Sequence, residues 1–327
     1  MSQMVALVAN VLQAPGLLLN AYCASNFRKR MRDINGRFFM PYFIAFVQST
    51  IDCIIGLTHI LCNISYFLHT PNTATAGIVC ILMSGGLIDM ALGMRSLVNL
   101  GVAVFNYIRL LYPFTSSPLQ FKTLIIVSAT SIVSTASIAA IEDFVELKHK
   151  ATNESCAVQS SEDRTGHMLL MLGRLMTLFA FVYLYLLPAL GTVYLYKQTI
   201  GSLSRDIADM DSSYDEEGSG TDSSDVLRLV LLELEKTMIL DGLAMIVFFG
   251  NVFVISFIQR FCYAALDVEM RRGSVGPQLR RLFASTYCTF YIIVSLILRR
   301  VYRAPAEDLL KLLNYKPKNK AKKFSVE

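Results

Sequence analysis

The stretch "FFMPYFIAFVQSTIDCIIGLTHILCN", residues 38–63, decides the fold class. It exceeds the ~20 mostly apolar residues that an α-helix needs to cross a hydrocarbon core. Its only charged side chain is Asp52. A charge in such a segment is costly, and it usually faces the interior of a helix bundle and has a partner there. The stretch therefore predicts a transmembrane helix that carries a buried carboxylate.

The rest of the chain has the same character. Of its 327 residues 54% are hydrophobic and 17% are charged, whereas about 25% are charged in a typical soluble domain. We therefore expect an all-α bundle of seven transmembrane helices within residues 1–315. The predicted spans are 4–23, 38–63, 75–111, 121–141, 168–196, 229–258 and 282–298.

The distribution of Lys and Arg predicts the orientation of the bundle, because cytosolic loops are enriched in these residues. Twenty basic residues fall on the side of the C-terminus and eight on the other side. The N-terminus is therefore expected outside the cell. The exception is a set of arginines around the last outer loop, which we interpret as residues at headgroup level, with contact to an anionic ligand as the alternative. These are Arg260, Arg271, Arg272, Arg280 and Arg281.

Two features of the predicted outer loops agree with this orientation. Cys80 lies at the outer end of the third span and Cys156 lies in the next outer loop. A disulfide between them is chemically allowed in an oxidising outer compartment. Asn153 begins an acceptor sequon, Asn-Glu-Ser, in that same loop, and is the predicted glycosylation site.

Two cytosolic segments stand out. Residues 204–226 are acidic and rich in Ser and Gly, so we expect a disordered loop, serving either as a phosphorylation or docking segment or as a plain linker. After the last span, Pro305 followed by Glu307 and Asp308 favours the start of a short amphipathic helix. The basic tail that follows, 316–327, is expected to lie against anionic lipid.

The seven spans, the external N-terminus and the possible outer disulfide resemble the rhodopsin-like (class A) G-protein-coupled receptors. The segment "GLLLN" in the first span resembles a family motif that ends in Asn, here Asn20, and "IDCIIG" resembles the motif of the buried acid, here Asp52. The segment "FNYIRLLYPF" resembles the cytosolic end of the family's third span. The other positions that the comparison singles out are Asn106, Tyr107, Arg109, Pro113, Pro188 and Tyr196.

The sequence departs from the family at its most specific motifs. Phe105 and Asn106 stand where the family has an acid and an arginine, with Arg109 nearby. The sixth span lacks Cys-Trp-x-Pro and the seventh lacks Asn-Pro-x-x-Tyr. A seven-span architecture without these motifs is similar to that of nematode serpentine orphan and chemosensory receptors. The resemblance implies a plasma-membrane receptor for a small molecule, an odorant or a short peptide, with a heterotrimeric G protein as cytosolic partner.

Asp52 and Arg95 form the sharpest pair of candidates. Counted from the short connection near residues 69–75, they lie ~25 Å and ~30 Å below it at 1.5 Å per residue. We therefore predict an ion pair; the alternative is that Arg95 faces another helix and Asp52 is protonated. The resemblance implies a sodium ion at Asp52, held with a hydroxyl from the third span. Counting back from Asn106, Arg95 stands at that hydroxyl's position and would supply a permanent positive charge.

Asp89 and Arg174 are the candidates for a ligand pocket, for contact with each other, or for a structural role. A transporter or channel that uses Asp52, Asp89 and Arg95 as an ion path is the main alternative function, although we find no internal repeat of the kind that many transporters have. Span-embedded catalytic signatures are missing. We therefore expect no enzyme activity, no metal or cofactor and no nucleic-acid partner.

Overall fold

The computed structural model describes residues 2–33, 39–64, 86–111, 164–214, 221–258, 261 and 275–312, and this part of the chain contains helices and no strand. The α-helices are α1 (Ser2–Asp33), α2 (Phe39–Ile64), α3 (Gly86–Leu111), α4 (Arg164–Ala180), α5 (Leu187–Tyr214), α6 (Thr221–Leu243), α7 (Gly250–Phe257), α8 (Val275–Leu298) and α9 (Arg300–Leu312). Two π-helical turns, π1 (Phe181–Leu186) and π2 (Ala244–Phe249), join α4 to α5 and α6 to α7. These segments therefore form two continuous rods.

Six helices in the described residues are long and apolar enough to cross a membrane. Their apolar segments are Met4–Arg32, Pro41–Leu61, Asp89–Leu111, Arg174–Asp209, Leu227–Phe257 and Gln278–Leu298. The prediction of a multi-pass helical membrane protein is confirmed. The predicted fourth span, 121–141, lies outside the described residues, so the count of seven stays a prediction, as does the orientation.

The described spans form a closed ring. α1 packs against α2 and α8, α2 against α3, α3 against α5, and α5 against α6. α8 closes the ring because it also packs against π2 and α7. α3 is the most deeply buried of the six spans. Polar side chains on α3 are therefore surrounded by neighbouring helices and must find partners among them.

A glycine allows α1 to approach α8 closely. A Cβ atom at Gly16 would lie 2.6 Å from the backbone nitrogen of Thr289. The Gly16 N–H donates a hydrogen bond to Thr289 Oγ1 at 3.0 Å. Any larger residue would force the two backbones apart. Gly16 therefore sets the spacing between α1 and α8.

The helices on either side of the predicted acidic loop are longer than the sequence suggested. α5 continues to Tyr214 and α6 begins at Thr221, so 204–214 and 221–226 are helical. Leu203 and Ile207, one helical turn apart on α5, belong to one buried cluster with Leu234 of α6. This shared apolar face stabilises helix beyond the predicted end of the fifth span and corrects the prediction of disorder at both ends of the loop. Residues 215–220 lie outside the described part.

The predicted helix after the last span is present as α9, but it begins at Arg300, so Pro305 lies inside the helix and not in its first turn. α9 packs against the end of α1. Arg30 forms an ion pair with Asp308 at 3.0 Å, and the ring of Phe27 meets that of Tyr302 edge-on at 5.0 Å. The Tyr302 hydroxyl lies 3.3 Å from that of Ser49 on α2, and burial raises the pKa of the Tyr302 phenol. α9 is therefore anchored to protein, while the basic tail 316–327 lies outside the described residues.

Candidate functional site: a buried charged core

Asp52 and Arg95 lie against each other at the centre of the bundle. Arg95 Nε donates to Asp52 Oδ1 at 3.0 Å, and the two side chains are 1% and 0% exposed. The Tyr287 hydroxyl of α8 donates to the same carboxylate oxygen at 3.1 Å. The ion pair that we predicted from the similar depths of Asp52 and Arg95 is therefore formed. Together with Tyr287 it joins α2, α3 and α8. Such a pair is tolerated in the interior because each ion compensates the other's loss of water.

A chain of amides extends this pair toward α9. Arg95 Nη1 donates to Asn99 Oδ1 one turn further along α3, and Gln48 Nε2 of α2 donates to the same oxygen at 3.4 Å. The Gln48 amide oxygen accepts a hydrogen bond from Arg299 Nη1 at 3.0 Å. A second guanidinium therefore belongs to the network. Arg299 lies between α8 and α9 and is buried.

A second carboxylate closes the network on the side of α6. Asp241 is fully buried and accepts hydrogen bonds from two phenols, Tyr291 of α8 at 2.7 Å and Tyr196 of α5 at 3.4 Å. Arg299 Nη1 lies 3.5 Å from the Tyr291 hydroxyl, and the Arg95 guanidinium lies over the Tyr291 ring at 4.8 Å. Tyr291 therefore touches both arginines and Asp241.

The connected residues, which we call the charged core, span five of the six described spans. Their two carboxylates and two guanidiniums give a formal charge of zero. Amide and phenol groups between them carry the hydrogen bonds, and a buried network of this kind specifies one arrangement of the helices when its groups are paired. The charged core consists of Gln48, Asp52, Arg95, Asn99, Tyr196, Asp241, Tyr287, Tyr291 and Arg299.

A separate polar cluster surrounds Asp89, one of the two candidates for a ligand pocket. Ser256 Oγ donates to Asp89 Oδ2 at 2.6 Å, and Arg280 Nη2 lies 2.5 Å from Asp89 Oδ1. Arg280 and Arg281 are buried among the helices near the end of the apolar segment that begins at Gln278, and their depth in the membrane stays a prediction. Arg174, the other candidate, lies half-buried on α4. A role for Asp89 and Arg174 in ligand binding stays a prediction.

The positions singled out by family resemblance have different environments. Tyr196 joins the charged core with Asp52, whereas the Asn20 amide donates to Gly16 O at 2.9 Å within α1. Pro188 is buried in α5. On α3, Asn106 and Tyr107 are half-buried and Arg109 is exposed. The positions outside the described residues are Cys80, Pro113, Asn153 and Cys156.

The sequence did not predict five members of the charged core, namely Gln48, Asn99, Tyr287, Tyr291 and Arg299. Tyr287 and Tyr291 are four residues apart, and so lie on one face of α8, but buried tyrosines in an apolar helix are unremarkable by pattern. Arg299 follows an apolar run directly and belongs to the twenty basic residues on the side of the C-terminus. The one available signal was Asp241, an acid in the sixth span that required a partner from another helix.

No protein family matches the chain, and no characterised protein matches it significantly in sequence. The charged core and the ring of helices around it are therefore the basis for assigning a function.

Proposed function

We propose that the protein is a seven-helix cell-surface receptor of the G-protein-coupled type that senses a small molecule, an odorant or a short peptide at the plasma membrane. One observation carries the proposal. The described spans form a ring around a buried core in which Asp52 of α2 pairs with Arg95 of α3. A short helix, α9, folds back against α1 after the last span.

The contacts of the core suit a protein that transmits a change between helices. Asp52, Asp241 and Arg95 reach α8 through Tyr287 and Tyr291. A displacement of one helix would alter the partners of charges on the others, and a buried charge without a partner is costly. A ligand that binds one arrangement better would therefore shift the population of all these helices together.

Ion transport, the alternative function, receives less support from the same geometry. Three buried carboxylates lie on the described helices of the ring, and the predicted ion path uses two of them, Asp52 and Asp89. Asp52 lies 3.0 Å from Arg95 and Asp89 lies 2.5 Å from Arg280, while the third, Asp241, is held by two phenols. A passing cation would have to compete with a guanidinium at both Asp52 and Asp89, so a receptor is the better-supported function.

The first test is topology, measured with epitope tags at both termini in intact and permeabilised cells. We expect the N-terminal tag to be accessible on intact cells and the C-terminal tag only after permeabilisation. An N-terminal tag that requires permeabilisation would contradict the proposal.

The second test is a ligand screen that reads out several classes of G protein and arrestin recruitment. Cells that express Arg205→Gln, a variant at an exposed side chain of α5, provide the matched control. We expect at least one ligand to raise one readout in both wild-type and control cells. Ion flux in proteoliposomes without any ligand would favour the alternative instead.

A further inference from the structure

Arg299 has an unusual environment for an arginine that directly follows a transmembrane helix. Such residues normally extend their charged ends to the headgroup region. Arg299 is instead 7% exposed and points into the bundle, where Nη1 donates to Gln48 Oε1 at 3.0 Å and lies 3.5 Å from the Tyr291 hydroxyl. No carboxylate of the described residues lies within ion-pair distance of it. A buried guanidinium in this position requires compensation from elsewhere.

Asp241 has the complementary requirement. Its two hydrogen-bond donors, Tyr291 at 2.7 Å and Tyr196 at 3.4 Å, are neutral phenols. Asp52 and Arg95 compensate each other directly at 3.0 Å. The two charges that remain in the core are therefore Asp241 and Arg299, of opposite sign, and both contact the Tyr291 hydroxyl.

The position of Arg299 also determines where α9 begins. Its backbone N–H donates to Ser295 O at 3.0 Å, and its carbonyl accepts the N–H of Tyr302 at 3.0 Å. Its guanidinium lies 5.2 Å from the centre of the Tyr302 ring. The residue that enters the charged core with its side chain therefore supports the first turn of α9 with its backbone.

We propose that Arg299 and Asp241 form a charge pair bridged by Tyr291, and that Arg299 is the positioning residue that fixes α9 against the bundle. The bridge transmits the attraction through one hydroxyl, which accepts from the arginine and donates to the carboxylate. The inference is independent of what the protein senses. It implies that the position of α9 against the bundle depends on the charges of Asp241 and Arg299.

The test is a double-mutant cycle with Asp241→Asn and Arg299→Gln in purified protein in lipid nanodiscs. Each single variant leaves one uncompensated charge, whereas the double variant is neutral again. Two quantities are measured, the melting temperature and deuterium exchange of the amides at the start of α9. We expect both singles to melt lower than wild type and to exchange about tenfold faster at α9, as easier local opening predicts, and the double variant to recover much of both losses.

Three further variants separate this proposal from a general loss of packing. Arg300→Gln changes the exposed neighbour and should exchange like wild type, whereas Arg299→Lys retains the charge and should be milder than Arg299→Gln. Tyr291→Phe removes the bridge and should reduce the recovery in the double variant. A double variant as defective as the sum of the singles would overturn the proposal, as would equal α9 exchange in Arg299→Gln and Arg300→Gln. Failure of both Arg299→Gln and the double variant to fold, with Arg300→Gln folded, would overturn it too.

Discussion

Replacing Arg95 with Met, a flexible apolar residue, leaves the Asp52 carboxylate with a single neutral donor. In the wild type, that carboxylate accepts Arg95 Nε at 3.0 Å and the Tyr287 hydroxyl at 3.1 Å, so the substitution removes the one charged partner. Breaking a buried ion pair in this way costs about 3–5 kcal/mol. For a protein of this size such a loss lowers the melting temperature by on the order of 10 °C. Asp52→Asn should be comparably destabilising, because it strands the guanidinium.

The double variant, Asp52→Asn with Arg95→Met, removes both charges at once. The Asn side chain can still accept from Tyr287, so the remaining loss is mainly that of hydrogen bonds, about 1–2 kcal/mol. The double variant should therefore melt above either single variant. This order is opposite to that for independent sites, where losses add.

Thermal unfolding can be followed through the protein's own thiols. The chain has no Trp, but Cys23 and Cys288 are free and buried, so a fluorogenic maleimide reports unfolding as they become exposed. Arg205→Gln, at an exposed site on α5, is the matched control for loss of an arginine. It should melt within about 2 °C of wild type, because surface substitutions change stability little. A double variant that melts as low as the summed singles would show that the pair is not coupled.

The remaining predictions concern the same core, the ring and the Asp89 cluster. The melting temperature of the wild type should not depend on whether Na⁺ or an organic cation is present, whereas Arg95→Ala should melt higher in Na⁺, because its stranded carboxylate can then bind that ion. Gly16→Ala should lower the melting temperature, since its Cβ would meet the α8 backbone at 2.6 Å. Gly201→Ala, where a Cβ meets nothing within 4 Å, should instead stabilise by up to about 1 kcal/mol; equal effects would refute the close approach. Arg280→Gln should lower the melting temperature, because it removes the partner of Asp89. The double variant Arg280→Gln with Asp89→Asn should melt above Arg280→Gln alone.

Sequence alone could predict the six membrane spans of the described residues and the Asp52–Arg95 pair. The spans follow from the lengths of apolar runs, and the pair follows from matching depths in a bilayer. It could not predict the burial of Arg299, which depends on the chain turning after Leu298 and on α9 folding back. A basic residue at the end of an apolar run is equally compatible with the headgroup region. Sequence also could not predict the partner of Arg280, since only the packing of α8 shows that this residue pairs with Asp89.

The helical part of 204–214 escaped prediction for a different reason. Acidic and small residues in that segment indicate solvent exposure, but an exposed segment can still be helical. A helix needs only one apolar face for support, which Leu203 and Ile207 provide against α6. Composition averaged over the segment hides a face that repeats every three to four residues.

The turn π1 determines which deletions the fifth span can accept. Thr177 and Tyr196 are 19 residues apart, which would put them about 100° apart around a regular α-helix of 3.6 residues per turn. Both are nevertheless buried, because a π-helical turn takes up one extra residue and returns them to the same face. Removing one residue from 181–186 would restore regular α-helix without rotating either half of the rod. Related sequences should therefore show single-residue gaps at π1, and by the same reasoning at π2, in preference to anywhere else in these two rods.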